Sequence, residues 1–193
     1  SMLLLQRRLH RAGYATRNFP YHSTFESIDE ISDKLHRYIE KEVDTPRYHL
    51  VGHSLGNVII RHGFRRGYRP GLQRIVMLAP PNRPSRLAQR FQKQLWYRLL
   101  FQETGQRLAQ ETFYGQLPTP SVEFGVIAGN QSHTPFLEGE SDGVVLVEAT
   151  KLSGMADFQI VPSTHTFIMN HRQTTRAILS FLKTGRFSSS AVP

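Results

Sequence analysis

Arg47-Tyr48-His49-Leu50-Val51-Gly52-His53-Ser54-Leu55-Gly56 is the stretch on which the fold of this chain turns. Arg47 to Gly52 predicts a strand, and Leu55 to Arg66 predicts a helix that leaves it directly. Between them stands Gly52-His53-Ser54-Leu55-Gly56, a Gly-x-Ser-x-Gly pattern in the strand-turn-helix context that gives it meaning. The glycines suit a sharp turn in which flanking side chains would collide with neighbouring backbone. Such a turn lifts the serine oxygen above the sheet edge and aims the amino end of the following helix at it. With 14 glycines and 15 serines in 193 residues, chance would supply only about 0.08 such matches, so the motif carries weight.

Working outward, Leu3 to Gly13 predicts an amphipathic helix with Leu4, Leu5 and Leu9 toward a core, and Tyr14 to Tyr21 a short strand. Thr24 or Ser27 can cap a second helix, in which Ile28, Ile31, Leu35, Ile39 and Val43 recur at helical spacing. Leu72 to Ala79 predicts a buried strand stopped by Pro80-Pro81. Pro84 to Glu111 has a helical pattern, and Val122 to Ala128 predicts a strand followed by a polar loop through Gly143. Phe158 to Val161 predicts a last strand and Phe167 to Leu182 a last helix. Helices alternating with continuously apolar strands predict an α/β fold, a mainly parallel sheet covered on both faces. The chain is expected to form one domain, 1–193, with 84–116 as a short helical cap insertion.

Composition narrows the function classes. There are no cysteines, which excludes disulfides, thiolate nucleophiles and cysteine-bound zinc. A hydrophobic fraction of 39% with 20% charged residues fits a soluble globular chain. No apolar run approaches the roughly 18 residues that span a bilayer, so the location is expected to be cytoplasmic by default. The net charge is +9, concentrated in Arg61, Arg65, Arg66, Arg69 and Arg74, then Arg83, Arg86, Arg90, Lys93 and Arg98. These are expected to be solvated helical faces. They carry no nucleic-acid-binding motif, though such a surface suits anionic lipid.

A serine hydroxyl becomes a competent nucleophile when a base takes its proton, and the base needs an acid to fix its tautomer. After such a strand-turn-helix serine, the acid and then the histidine follow in chain order. Ser141-Asp142-Gly143-Val144-Val145 follows the strand at Val122, and Ser163-Thr164-His165-Thr166-Phe167 follows the strand ending at Val161. Both thus leave strands at the sheet edge where Ser54 opens. Ser54 is the expected nucleophile, Asp142 the acid and His165 the base. Asp157 leads into a strand and would lie at the other sheet end, while Glu138 and Glu140 remain alternatives for the acid. His133 and His171 are expected at the surface, and His53 is expected to point away from the proton transfer.

With these residues in place, the sequence resembles the α/β-hydrolase superfamily, in particular bacterial lipase and esterase-like members with a Gly-His-Ser-Leu-Gly turn and an Asp-Gly-Val-Val acid loop. The likeness runs from about Leu3 to Phe181. It implies cleavage of carboxylic esters through an acyl-serine intermediate, with no metal or organic cofactor and a small-molecule or lipid ester as substrate. It implies that the Leu55 N–H is one oxyanion donor, and that the cap segment supplies Phe91, Leu95 and Trp96 to an acyl pocket. The superfamily draws its second oxyanion donor from a loop after an earlier strand, usually marked by His-Gly. No such strand or loop precedes Leu3, and the expectation is an N-terminally truncated chain that lacks a strand between those at Tyr14 and Arg47. Losing one oxyanion donor costs about 100–1000-fold in turnover. A partner copy supplying the missing sheet contacts, as in a homo-oligomer, is one way to complete such a sheet. The competing reading is a catalytically impaired interaction protein or one that binds a membrane surface.

Overall fold

The computed structural model describes residues 2–22, 26–83, 111–132 and 139–187. Along the chain run α1 (Met2–Arg11), α2 (Ile28–Glu42), β1 (Tyr48–His53), α3 (Leu55–Gly63), β2 (Leu72–Leu78) and α4 (Glu111–Gln116). They are followed by β3 (Glu123–Gly129), α5 (Val147–Thr150), β4 (Asp157–Val161), a 3-10 helix (His165–Asn170) and α6 (Arg172–Thr184). The four strands form one sheet in the order β1-β2-β3-β4, and every neighbouring pair is parallel. All four carboxyl ends therefore open on the same edge.

The sheet is buried on both faces, which is why its central strands read as unbroken apolar runs. Ile75 and Met77 of β2, with Phe124 and Val126 of β3, face one core shared with α2 and α3. Val76, Leu78 and Ile127 face the other core, closed by Leu5 and Leu9 of α1 and by Ala177, Ile178 and Phe181 of α6. Ile75, Val76, Met77 and Leu78 have no exposed surface. Of the two candidate caps for α2 it is Ser27 that serves: its hydroxyl accepts from the Glu30 N–H while the Glu30 carboxylate accepts from the Ser27 N–H, a reciprocal cap.

Several expectations need correction. Tyr14 to Tyr21 is irregular and not a strand. Tyr14 packs with the core under α1, whereas Phe19 and Tyr21 pack with the core under α2 and α3. The segment thus crosses between the two faces, and among the described residues it pairs with no strand of the sheet. The final helix is broken: a 3-10 turn from His165 is separated from α6 by His171 in an extended conformation. Leu4 is 39% exposed, while Leu5 and Leu9 are buried. Arg61 is not on a solvated face but is 2% exposed. Helix α3 is buried nearly all round, and the Arg61 guanidinium donates to the carbonyls of Pro118 (3.1 Å) and Leu117 (2.8 Å) and to Asn82 Oδ1 (3.2 Å). Burial pushes its pKa down to about 10, so it remains a cation held by neutral acceptors. It ties α3 to the chain on either side of residues 84–110.

Of the expected cap, 84–116, only 111–116 falls within the described residues, where it forms α4. Phe91, Leu95, Trp96, His133 and Glu138 lie outside them. Among the described residues no helix is long and apolar enough to cross a membrane.

Phe181 has no exposed surface; its ring meets Phe187 at 4.9 Å between centroids and fills the space above Gly125. Phe181→Ala is expected to remove about 3–5 kcal/mol of stability, read as a lower urea midpoint at unchanged slope. Retention of the midpoint would mean that α6 does not close this core.

Candidate active site

Ser54 sits where β1 ends and α3 begins, with φ 51 and ψ −121, a left-sided conformation that non-glycine residues seldom adopt. Its N–H donates to the Leu78 carbonyl at 3.0 Å, and the Asn57 amide donates to the same oxygen at 3.0 Å. Both bonds anchor the turn to the end of β2. A Cβ on Gly52 would come within 2.2 Å of Asn57 Oδ1, so this glycine is demanded by a side chain rather than by backbone. A Cβ on Gly56 would meet only the Tyr21 hydroxyl, at 3.8 Å. That is ordinary contact and no collision. The Leu55 N–H is the first of α3 and has no carbonyl one turn back within the helix.

Asp142 is held by its own turn. Its Oδ1 accepts from the N–H groups of Val144 (2.9 Å) and Val145 (2.7 Å), and its N–H donates to the Val145 carbonyl. The Asp-Gly sequence is therefore both a turn and a positioned carboxylate. Oδ2 accepts from His165 Nδ1 at 2.7 Å, and the Asp142 carbonyl accepts from the His165 N–H at 2.9 Å. Gly129, at the carboxyl end of β3, makes room for this approach: a Cβ there would lie 2.5 Å from the Ser163 carbonyl oxygen and 2.9 Å from Asp142 Cβ.

With Nδ1–H committed to the carboxylate, His165 Nε2 presents its lone pair to the Ser54 hydroxyl at 2.9 Å. The three side chains, from loops after β3, β4 and β1, form one hydrogen-bonded chain. Ser54 is 7% exposed, His165 6% and Asp142 2%, so all three are buried and the carboxylate is the most deeply enclosed. Neither alternative acid joins them among the described residues. Asp157 lies at the start of β4, where its carboxylate accepts from the Phe158 and Phe187 N–H groups. Glu140 contributes its carbonyl to the Val147 N–H.

Two residues near this chain were not assigned roles from sequence. His53 does not point away. Its Nε2–H donates to the His165 carbonyl at 3.0 Å, and the two rings lie 4.9 Å apart. The signal was present in alternation: along β1, His53 follows Val51, whose side chain packs with the same core as Ile168 and Met169 of the histidine loop. Burial, and next the proximity of His165, push the His53 pKa down to about 4. Tyr21 reaches the first turn of α3, and burial pushes its phenol up to about 12, so it remains a hydrogen-bond donor at neutral pH. Among the described residues no cluster of three His, Asp or Glu side chains is arranged to hold a metal ion.

The depressed His53 value has a consequence for stability. The fold favours the neutral ring, so below about pH 6.5 the unfolded chain takes up a proton that the folded chain refuses. Stability is then lost as pH falls from 6.5 through about 4. At pH 4.5 the loss is about 2–3 kcal/mol relative to pH 7. His53→Gln, which cannot titrate, is expected to lose that much less over the same interval in urea unfolding; equal losses would mean that His53 ionises freely in the fold.

No protein-family model matches the chain. No curated protein matches it in sequence. Solved structures do match in shape. A lipase of Bacillus licheniformis (BlEst2, mature form) superposes with a TM-score of 0.64 at 15% identity, over 84% of this chain and 76% of that one. A metagenomic carboxyl esterase gives 0.67 at 17% identity, over 85% and 58%. The phospholipase PlaB of Legionella pneumophila, in complex with thio-NAD, gives 0.62 at 20% identity, over 93% and 54%. The chain thus spans little more than half the length of the last two. A parallel sheet covered on both faces, with loops gathered over its carboxyl edge and these structures as neighbours, identifies the architecture: the chain has the α/β-hydrolase fold.

Proposed function

We propose that this protein is a serine hydrolase that cleaves carboxylic esters through an acyl-serine intermediate. The observation that carries this reading is the continuous hydrogen-bonded path from Ser54 Oγ through His165 to Asp142, 2.9 Å and 2.7 Å long in its two links, mounted on a strained Ser54. A serine in an idle turn has no need of a buried imidazole whose second nitrogen is fixed by a carboxylate. The names of the structural neighbours, a lipase, a carboxyl esterase and a phospholipase, support an ester as the substrate, either a small molecule or a lipid.

In this reading Ser54 Oγ attacks the acyl carbon while His165 Nε2 takes the hydroxyl proton. Asp142 keeps the proton of His165 on Nδ1 and stabilises the imidazolium that forms. The carbonyl oxygen becomes an oxyanion facing the Leu55 N–H and the positive end of α3. Collapse breaks the ester C–O bond, and His165 returns its proton to the leaving alcohol. Water, deprotonated by the same Nε2, then attacks the acyl-serine and releases the acid, restoring the hydroxyl. Every proton is carried by one nitrogen.

A fluorophosphonate is expected to label the chain at Ser54, and Ser54→Ala to abolish labelling. His165→Ala is expected to slow it by about 100- to 10,000-fold, with Asp142→Asn also slowed because the amide no longer fixes the tautomer. Absence of labelling in the unsubstituted chain would favour an interaction protein that retains the hydrolase scaffold.

A further inference from the structure

The structure contains a second histidine in the reactive centre that the proton path does not use. His53 immediately precedes Ser54, at the last position of β1, and its Nε2–H donates to the backbone carbonyl of His165 at 3.0 Å. The two imidazoles lie 4.9 Å apart, inclined by 45°. A carbonyl oxygen can only accept, so this bond fixes the His53 proton on Nε2. The link therefore runs from the strand that carries the nucleophile to the main chain of the base.

We infer that His53 is a positioning residue: it locks the backbone of the His165 loop to β1, so that the imidazole of His165 stays at reacting distance from Ser54. The inference rests on the hydrolase reading above for its catalytic consequence, but on geometry for the link itself.

The need for such a lock follows from how the loop is built. His165 opens a 3-10 helix, not a strand or an α-helix, and short 3-10 turns are poorly bonded elements. Outside that turn, the main chain of His165 is tied on one side by its N–H, which donates to the Asp142 carbonyl. That bond and the Nδ1 bond both bind His165 to the Asp142 turn. Together they fix the histidine relative to the acid, and neither reaches β1, whose Val51 shares only an apolar core with Ile168 and Met169 of the histidine loop. The Nε2–Oγ contact is itself the reacting contact and must break and re-form in each cycle. His53 supplies a permanent bond across the same gap. A neutral donor also suits this place better than a cation would, because an imidazolium at His165 appears during turnover and a second positive charge at 4.9 Å would oppose it. Burial and His165 together keep His53 neutral above about pH 4.

The test compares His53→Leu, which removes the donor, with His53→Gln, whose amide nitrogen reaches the place of Nε2. Two readouts are taken on each variant of the full chain: the rate of fluorophosphonate labelling of Ser54, and the low-field proton resonance of His165 Nδ1–H. In the Leu variant the labelling rate is expected to fall about 10- to 100-fold, as for other small misplacements of a reacting group, and the resonance to broaden by exchange with water. In the Gln variant both are expected to recover most of their original values, although the ring packing is lost in both variants. A resonance that stays sharp in the Leu variant overturns the inference whatever the labelling does. So does a Gln variant as slow as the Leu variant, because the ring's bulk and not its N–H would then be what matters. If the unsubstituted chain is not labelled while the resonance still broadens in the Leu variant, the positional link stands and the hydrolase reading falls.

Discussion

The backbone of Ser54 is held in a conformation that costs on the order of 1–3 kcal/mol, and the arrangement around it exists to sustain that cost. The turn is pinned at two points to one oxygen, the Leu78 carbonyl, by the Ser54 N–H and the Asn57 amide. Gly52 leaves space for Asn57 to reach it. Beneath lies a sheet whose central side chains have no contact with water, so the end of β2 cannot yield. Rigidity in the core is thus converted into precision at one hydroxyl.

The histidine and the acid meet that hydroxyl from the opposite side of the sheet order. β1 is at one end and β4 at the other, so the loop after β4 must reach across the carboxyl edge over β3 and β2. Parallel strands make this feasible, because every loop leaves on the same edge. The acid loop, after β3, lies midway and serves as the bridge: Asp142 takes His165 at both its main chain and its ring. Arg61 plays a comparable part behind Ser54, binding α3 to Asn82 and to the chain at Leu117 and Pro118.

Much of this was legible in the sequence because burial on both faces writes itself as consecutive apolar residues: Ile75-Val76-Met77-Leu78 reads as a strand by that alone. The site was legible for a related reason. Ser54, Asp142 and His165 each follow such a strand, and in a parallel sheet that places them on one edge. What was hidden depends on neighbours distant in the chain. Tyr14 to Tyr21 has strand-forming residues, but a strand needs a neighbouring backbone to pair with, and among the described residues the segment has none in the sheet. Arg61 looks like one of a run of surface arginines, and only the carbonyls of Leu117 and Pro118 reveal it as buried. His53 has the periodicity of a core-facing strand residue, yet its partner, the His165 carbonyl, lies 112 positions away.

The central claim, that one imidazole relays a proton between Ser54 and a substrate held over the carboxyl edge of the sheet, is tested most directly by a crystal structure of the chain after reaction with an ester-like phosphonate. The account predicts a phosphorus–oxygen bond at Ser54 Oγ, a phosphoryl oxygen accepting from the Leu55 N–H, and His165 Nε2 within hydrogen-bonding reach of the substituent that mimics the leaving alcohol. A phosphonate bound covalently at another residue, or an imidazole turned away from the adduct with Asp142 unbonded to it, would contradict the account.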